Sequence, residues 1–231
     1  ANICIAGATG SGKTGTMYYL LSTVAKDAAK RIGTIKIESR EFDLLRRDEN
    51  GAPLNDVFSW VTRSSDDSRY NIPANKLVET ILRFTPDIIG LGEMRNEEAL
   101  AVSELALTGH GAITTLHAAS AQAAYSRIVD LCKKAGSSYN DATLFRRAIR
   151  AFPIIVFQEQ LADGSRRALS IVEGIGYSDS DANVKTLFSF EIEDNTAGKV
   201  LGKHVQTGQI SRELRQTLLQ HGASRKELEG F

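Results

Sequence analysis

Gly7, Gly12, Lys13 and Thr14 stand at the spacing G-x-x-x-x-G-K-T, in the stretch GATGSGKT that follows the apolar run NICIA. Glycines there let the backbone turn tightly and aim successive N–H groups at phosphate oxygens. A helix opening at Lys13 adds the partial positive charge of its N-terminus. The lysine reaches the β and γ phosphates of a nucleotide, and the threonine hydroxyl binds the Mg²⁺ that bridges them. The expected phosphate cradle therefore comprises Gly7, Ala8, Thr9, Gly10, Ser11, Gly12, Lys13 and Thr14.

Hydrolysis needs further groups. The run PDIIGLGEMR reads as a buried strand ending Gly92-Glu93, with glycine where Asp usually helps to hold the metal. Glu93 can polarise a water or act on Mg²⁺ through the metal's water shell. Glu38 closes the strand IGTIKIES, expected beside the strand of the phosphate loop, where it could orient an attacking water as general base. In TGHGAITTLHA, His110 precedes a buried strand and His117 follows it. His117 reads equally as a phosphate sensor and as a satisfied structural histidine, and neither histidine has the company a zinc site needs.

These groups require strands that all end on one side. Residues 1–152 alternate short apolar runs with helical patterns, the signature of a mostly parallel sheet flanked by helices. Helices are expected over Lys13 to about Lys30, Asn75–Phe84, Asn96–Leu107, about 119–135 and 141–151. Residues 41–73 are polar and irregular, which marks a functional loop or an added ribbon. After Pro153 the pattern changes. PIIVFQEQL, RRALSIVEGIGY and VKTLFSFEIED, separated by ADGS and SDSDAN, read as antiparallel strands, and Ser211 and Ser224 each open a short helix. The expected organisation is an α/β core over 1–152, with a small antiparallel sheet and helical tail of the same domain over 153–231. The chain opens one residue before a buried strand, so it reads as a fragment of a longer protein.

Composition narrows the function classes. Lys and Arg number 28, as do Asp and Glu, which disfavours a partner bound mainly through polyanion electrostatics. No apolar run approaches the ~18 residues of a membrane span. Cys4 and Cys132 are far apart and read as core thiols. Trp60 and the leucines of the tail, Leu214, Leu218, Leu219 and Leu228, are expected to pack on the core.

Taken in order, GATGSGKT, TIKIESREF, PDIIGLGEMRNEEA and TGHGAITTLHA resemble the Walker A, Asp box, Walker B and His box of the secretion ATPase superfamily, the motors of type II and type IV secretion and of type IV pili. VTRSSDDSRYNIPANKLVETILRFTPDII and TGQISRELRQTLLQHGASRKELEGF look most like its Tad/Cpa branch, which powers tight-adherence (Flp-type) pili. The resemblance implies a RecA-like P-loop NTPase that binds ATP with Mg²⁺. Glu38 would be the Asp-box glutamate, Glu93 the Walker B glutamate and His117 the His-box histidine. Arg95 and Glu98 would lie in the Walker B extension, and Arg63 and Arg83 would be arginines used near the nucleotide, sometimes across a subunit interface. Ser39 stands where the family commonly has an acid.

The resemblance also implies a homo-oligomeric ring, expected to be a hexamer. It would work at the cytoplasmic face of the inner membrane on a platform protein of the pilus or secretion machine. The N-terminal domain typical of the family is expected outside this chain. The alternatives are a type IV secretion or conjugation ATPase, a RecA-like nucleic-acid motor, and a nucleotide-gated scaffold that does not hydrolyse.

Overall fold

The computed structural model describes residues 1–37, 43–178, 181–196 and 198–231. Among the described residues the strands and α-helices follow in this order: β1 (Ile3–Gly7), α1 (Lys13–Val24), β2 (Arg31–Lys36), β3 (Asp56–Val61), α2 (Ala74–Ile81), β4 (Ile88–Met94), α3 (Glu98–Leu107), β5 (Gly111–Leu116), α4 (Ala121–Lys134), α5 (Asp141–Ala151), β6 (Ile154–Gln160), β7 (Arg166–Ser178), β8 (Asp181–Thr196), β9 (Lys199–Gln206) and α6 (Arg212–Gln220). The nine strands form one sheet in the order β3-β2-β4-β5-β1-β6-β7-β8-β9. The pairings from β3 to β6 are all parallel, and those from β6 to β9 are antiparallel. The antiparallel strands thus extend the parallel sheet through β6.

Alternation along the strands assigns the two faces. Cys4 and Ala6 of β1 join Ile89, Leu91, Leu116 and Ile155 beneath α2, α3, α4 and α5. Ile5, with Ile32, Ile113 and Val156, faces Met17, Leu21 and Ala25 on and just beyond α1. Full burial of such side chains is worth about 1.5–3 kcal/mol each, so α1 is anchored chiefly by Met17 and Leu21, both wholly buried. Tyr125 of α4 is also wholly buried, and its hydroxyl donates to the Phe152 carbonyl at 2.8 Å. Asn2 fixes the entry to β1. Its amide donates to Ala106 and Ala151 carbonyls at 2.9 and 2.8 Å and accepts from the Ala112 N–H at 2.9 Å.

Several expectations are adjusted. The strand order places β5 and β4 between β1 and β2, so the strand leading to Glu38 is not beside the phosphate-loop strand. The polar stretch 41–73 contains β3, a parallel edge strand whose Phe58 and Trp60 rings meet Phe84 at 5.4 and 5.1 Å. α1 ends at Val24, earlier than its pattern suggests. β9 is a further strand in a segment with no apolar alternation to announce it. Both cysteines are buried, and burial raises each thiol's pKa above its ordinary value. Ser211 caps α6 by accepting from the Leu214 N–H at 3.0 Å. In the tail, Leu214 and Leu228 are buried, whereas Leu219 is exposed.

Candidate active site

Every parallel strand ends on the same edge of the sheet, where open α/β folds place their sites. Register aligns Ala6 of β1 with Leu116 of β5, and Leu116 with Met94 of β4. The next residues, Gly7, His117 and Arg95, therefore leave three adjacent strands at one level. One residue earlier, β4 carries an irregularity between Leu91 and Met94. Bulges of this kind re-aim side chains and recur beside active sites. Here the irregular segment contains Glu93, and Thr115 donates to the Gly92 carbonyl at 2.7 Å within it.

The phosphate loop runs from Gly7 into α1. A Cβ on Gly7 would come within 2.1 Å of the Gln158 carbonyl oxygen, so only glycine permits β6 to pass that close. Gly12 occupies the left-handed region at φ +92° and forms the N-cap of α1, with no side chain capping it. The first-turn N–H groups of such a helix lack intrahelical partners and suit an anion. Ser11 Oγ is buried without a hydrogen-bond partner among the described residues. Lys13 is buried, and its Nζ donates to the Gly7 and Ala8 carbonyls at 3.0 and 2.8 Å. Burial lowers the pKa of Lys13; the charge of Glu93 opposes that shift and the charge of Arg95 adds to it. Thr14 follows, half-buried, on the first turn. A cradle held open by glycines, a helix start without a cap, an orphaned hydroxyl and a lysine together fit a bound polyphosphate.

Glu93 is the hub of the acidic side. Its side chain is only 14% exposed. Oε2 meets Arg95 Nη2 at 2.7 Å, and Oε1 lies 3.1 Å from His117 Nε2. The second contact has ion-pair distance without hydrogen-bond alignment, so Oε1 has no hydrogen-bond donor among the described residues. A buried carboxylate oxygen in that condition is expected to have a water or ligand partner. Glu98, buried at the start of α3, accepts from the Arg95 and Asn96 N–H groups at 2.6 and 2.9 Å and shapes the turn that follows Glu93.

The structure thus brings Lys13, Glu93, Arg95 and His117 together. Glu38 lies outside the described residues. Arg63 follows β3 on the same edge, where its Nε donates to the Tyr70 carbonyl at 3.0 Å. It shares a cleft of about 550 Å³ with Arg95 and Lys134. Four strand spacings, about 19 Å, separate β3 from β1, so Arg63 does not reach the phosphate loop of its own chain. Arg83 sits in the 3-10 turn Leu82–Phe84 that precedes β4, at the edge where the parallel strands begin. It is exposed and is not part of the cluster, because the length of β4, about 20 Å, lies between it and Glu93. His110 is likewise at the far end, its Nδ1 2.9 Å from the Pro86 carbonyl oxygen.

Sequence reading passes over one arginine. Arg166, first residue of β7, donates through Nε to the Gly10 carbonyl at 2.7 Å. The only sign of it in the sequence is the turn ADGS followed by paired arginines.

Comparison with known proteins identifies the family. A family model described as "Type II/IV secretion system protein" matches residues 1–160. Type II secretion system protein E of Pseudomonas aeruginosa is 28% identical over 130 residues, 56% of this chain and 23% of that protein. Competence protein ComGA of Bacillus subtilis is 33% identical over 127 residues, 54% of this chain and 31% of its own length. The matches thus span less than a third of either relative. The crystal structure of the VirB11 ATPase from the Brucella suis type IV secretion system superposes with a TM-score of 0.60 at 24% identity. That match covers 74% of this chain and 47% of the other, so the fold is shared. The family model matches well over half of this chain, which therefore belongs to the type II/IV secretion system protein family.

Proposed function

We propose that this chain hydrolyses ATP to ADP and phosphate, as the core of a ring-forming motor that drives pilus assembly or protein secretion. The observation that carries the reading is Glu93: a mostly buried carboxylate, paired with Arg95, whose Oε1 lacks a donor among the described residues, on the edge that holds the phosphate loop. Lys13 and the N–H groups of the cradle bind the phosphates. Mg²⁺ would be held by the Thr14 hydroxyl, with Glu93 acting through its water shell. The metal would neutralise charge developing between the β and γ oxygens.

Glu38 takes the role of the base that orients the attacking water. The water oxygen bonds to the γ phosphorus as its proton passes to the Glu38 carboxylate, the bond to the β–γ bridging oxygen breaks, and ADP leaves with the electron pair. His117, 3.1 Å from Glu93, registers which phosphate species is present. Arg63 and Arg83 lie too far from the loop of their own chain for a role there, and we assign them to contacts between ring subunits. The ring, expected to be hexameric, would act from the cytoplasmic side on an inner-membrane platform protein. No helix among the described residues is long and apolar enough to cross a membrane. The stretches quoted above favour a Tad/Flp-type pilus. The matched family spans types II and IV, so a type IV secretion motor is the second reading.

The test is steady-state Mg²⁺-ATPase activity of the full-length protein, with particle mass measured in the same samples, beside Lys13→Ala and Glu38→Gln. Turnover in a ring that both substitutions abolish supports the motor. Folded, nucleotide-binding protein with no turnover in any assembly state overturns hydrolysis in favour of a nucleotide-gated scaffold. Loss of pili, or of secretion, on deletion of the gene separates the two machines.

A further inference from the structure

The hairpin between β6 and β7 places a cation on the phosphate loop. β6 pairs with β1 as far as Gly7 opposite Gln158, then runs two residues further to Gln160, which pairs with Arg166. The turn between them therefore overhangs the loop. Arg166 Nε donates to the Gly10 carbonyl at 2.7 Å across 156 positions of sequence. Its stem lies against Gly12: Cδ, Cβ and Cγ are 2.9, 3.8 and 3.9 Å from the place a Cβ on Gly12 would occupy. A side chain at position 12 would displace the arginine.

The turn is braced. Leu161 N–H donates to the Ser165 carbonyl at 2.7 Å, and Asp163 accepts from Ser165 N–H at 2.9 Å and from Val200 N–H of β9 at 3.0 Å. Hydrogen bonds from Ser165 and Val200 hold the Asp163 carboxyl at a pKa of about 2. Arg166 is therefore delivered by a fixed hairpin and does not depend on a loose surface loop for its position.

A guanidinium has five N–H donors in a planar fork that matches phosphate. One of them is on Gly10, and the side chain is exposed, so the fork is open to a ligand at the cradle. Arg63 and Arg83 do not reach this loop, whereas Arg166 touches it from within the same chain. We propose that Arg166 is a nucleotide-phosphate ligand supplied in cis, which exchanges the Gly10 carbonyl for phosphate oxygens when a nucleoside polyphosphate binds. This rests on the nucleotide-binding reading given above. It adds a contact that also ties the bound nucleotide to β7 and so to the antiparallel end of the sheet.

The test is equilibrium binding of labelled ATP, ADP and AMP to the full-length protein, Arg166→Ala, Arg166→Lys and Lys13→Ala, with melting of each without nucleotide. Charge-assisted contacts to phosphate predict a loss of at least about tenfold in ATP affinity for Arg166→Ala, with AMP affinity unchanged. Arg166→Lys should recover part of the loss, since it restores the charge without the fork. An equal loss for all three nucleotides, or an ATP affinity that is unchanged or higher, overturns the proposal in favour of a structural clasp on the loop. A parent protein that binds no nucleotide, or a Lys13→Ala variant that binds as well as the parent, overturns the nucleotide-binding reading itself. If Arg166→Ala melts early, the Arg166→Lys comparison decides, because a clasp needing only shape and charge would leave Lys equal to Arg for every nucleotide.

Discussion

Replacing Glu93 by Gln keeps the side chain's volume and removes its charge, and two energies should then part company. The first is stability. Glu93 pairs with Arg95, 57% exposed, and with His117, 40% exposed, so solvent screens both partners. Ion pairs in that setting are worth about 0–1 kcal/mol. For a domain of this size that moves the melting temperature by no more than about 2–4 °C. The second is the reaction barrier. A positioned carboxylate acting on water contributes about 10²–10⁴-fold, or about 2.7–5.4 kcal/mol. Nucleotide affinity should hold or improve, because the substitution removes a negative charge beside an anionic ligand. Melting, nucleotide binding and Mg²⁺-ATPase rate on the same preparation read all three quantities. The expected outcome is a small melting shift, intact binding and a rate at least about a hundredfold lower. Turnover at the parent rate would refute the role given to Glu93. Loss of binding together with a large fall in melting temperature would show that Glu93 holds the fold instead.

Further outcomes are expected at three positions. Gly7→Ala would put a Cβ 2.1 Å from the Gln158 carbonyl, forcing β1 from β6; overpacking of about 1–3 kcal/mol, or about 2–12 °C in melting temperature, should accompany loss of nucleotide binding. Lys13 has its pKa lowered by burial, so nucleotide affinity should decline in the alkaline range below the ordinary lysine value of about 10.4, measured as binding against pH. In the same window the stability of the empty protein should rise relative to Lys13→Met, because the cost of a buried ammonium disappears as the folded state loses its proton before the unfolded one does. Glu173, buried, accepts from the N–H of Ser211 at 2.7 Å and from its hydroxyl; Glu173→Ala should cost at least about 1.5 kcal/mol and make the chain ahead of α6 sensitive to limited proteolysis.

The parts of this molecule that can be read from sequence are those whose neighbours in space are also neighbours in sequence, or whose burial is nearly complete. NICIAG, PDIIGLGE and GAITTL are strands covered on both faces, so their unbroken apolar runs announce them. The phosphate loop is local, spanning eight residues between a strand and a helix. Strand order is not local. β5 enters the sheet between β1 and β4, and nothing in its residues states which strands it will separate. β3 and β9 lie at the two edges of the sheet and are half-exposed, so polar residues interrupt the alternation that would mark them. Arg166 depends on pairings between β1, β6 and β7, 156 positions from its acceptor. Arg63 and Arg83 lie in a motif-rich region, and only the strand spacings and strand lengths separate them from the loop.

The sheet that carries the phosphate loop near its middle also links that loop directly to its opposite edge. β7 has 13 residues and starts at the loop, so it runs back across the sheet for about 40–45 Å from the point where Arg166 meets Gly10, paired first with β6 and then with β8. Register shifts at Phe157/Gln158, Ile171/Val172 and Gly174/Gly176 interrupt its pairing, and the hydrogen bond from Val200 to Asp163 ties the start of β9 to the turn that leads into β7. A residue that touches the cradle and residues at the opposite edge of the sheet are thereby members of one hydrogen-bonded strand.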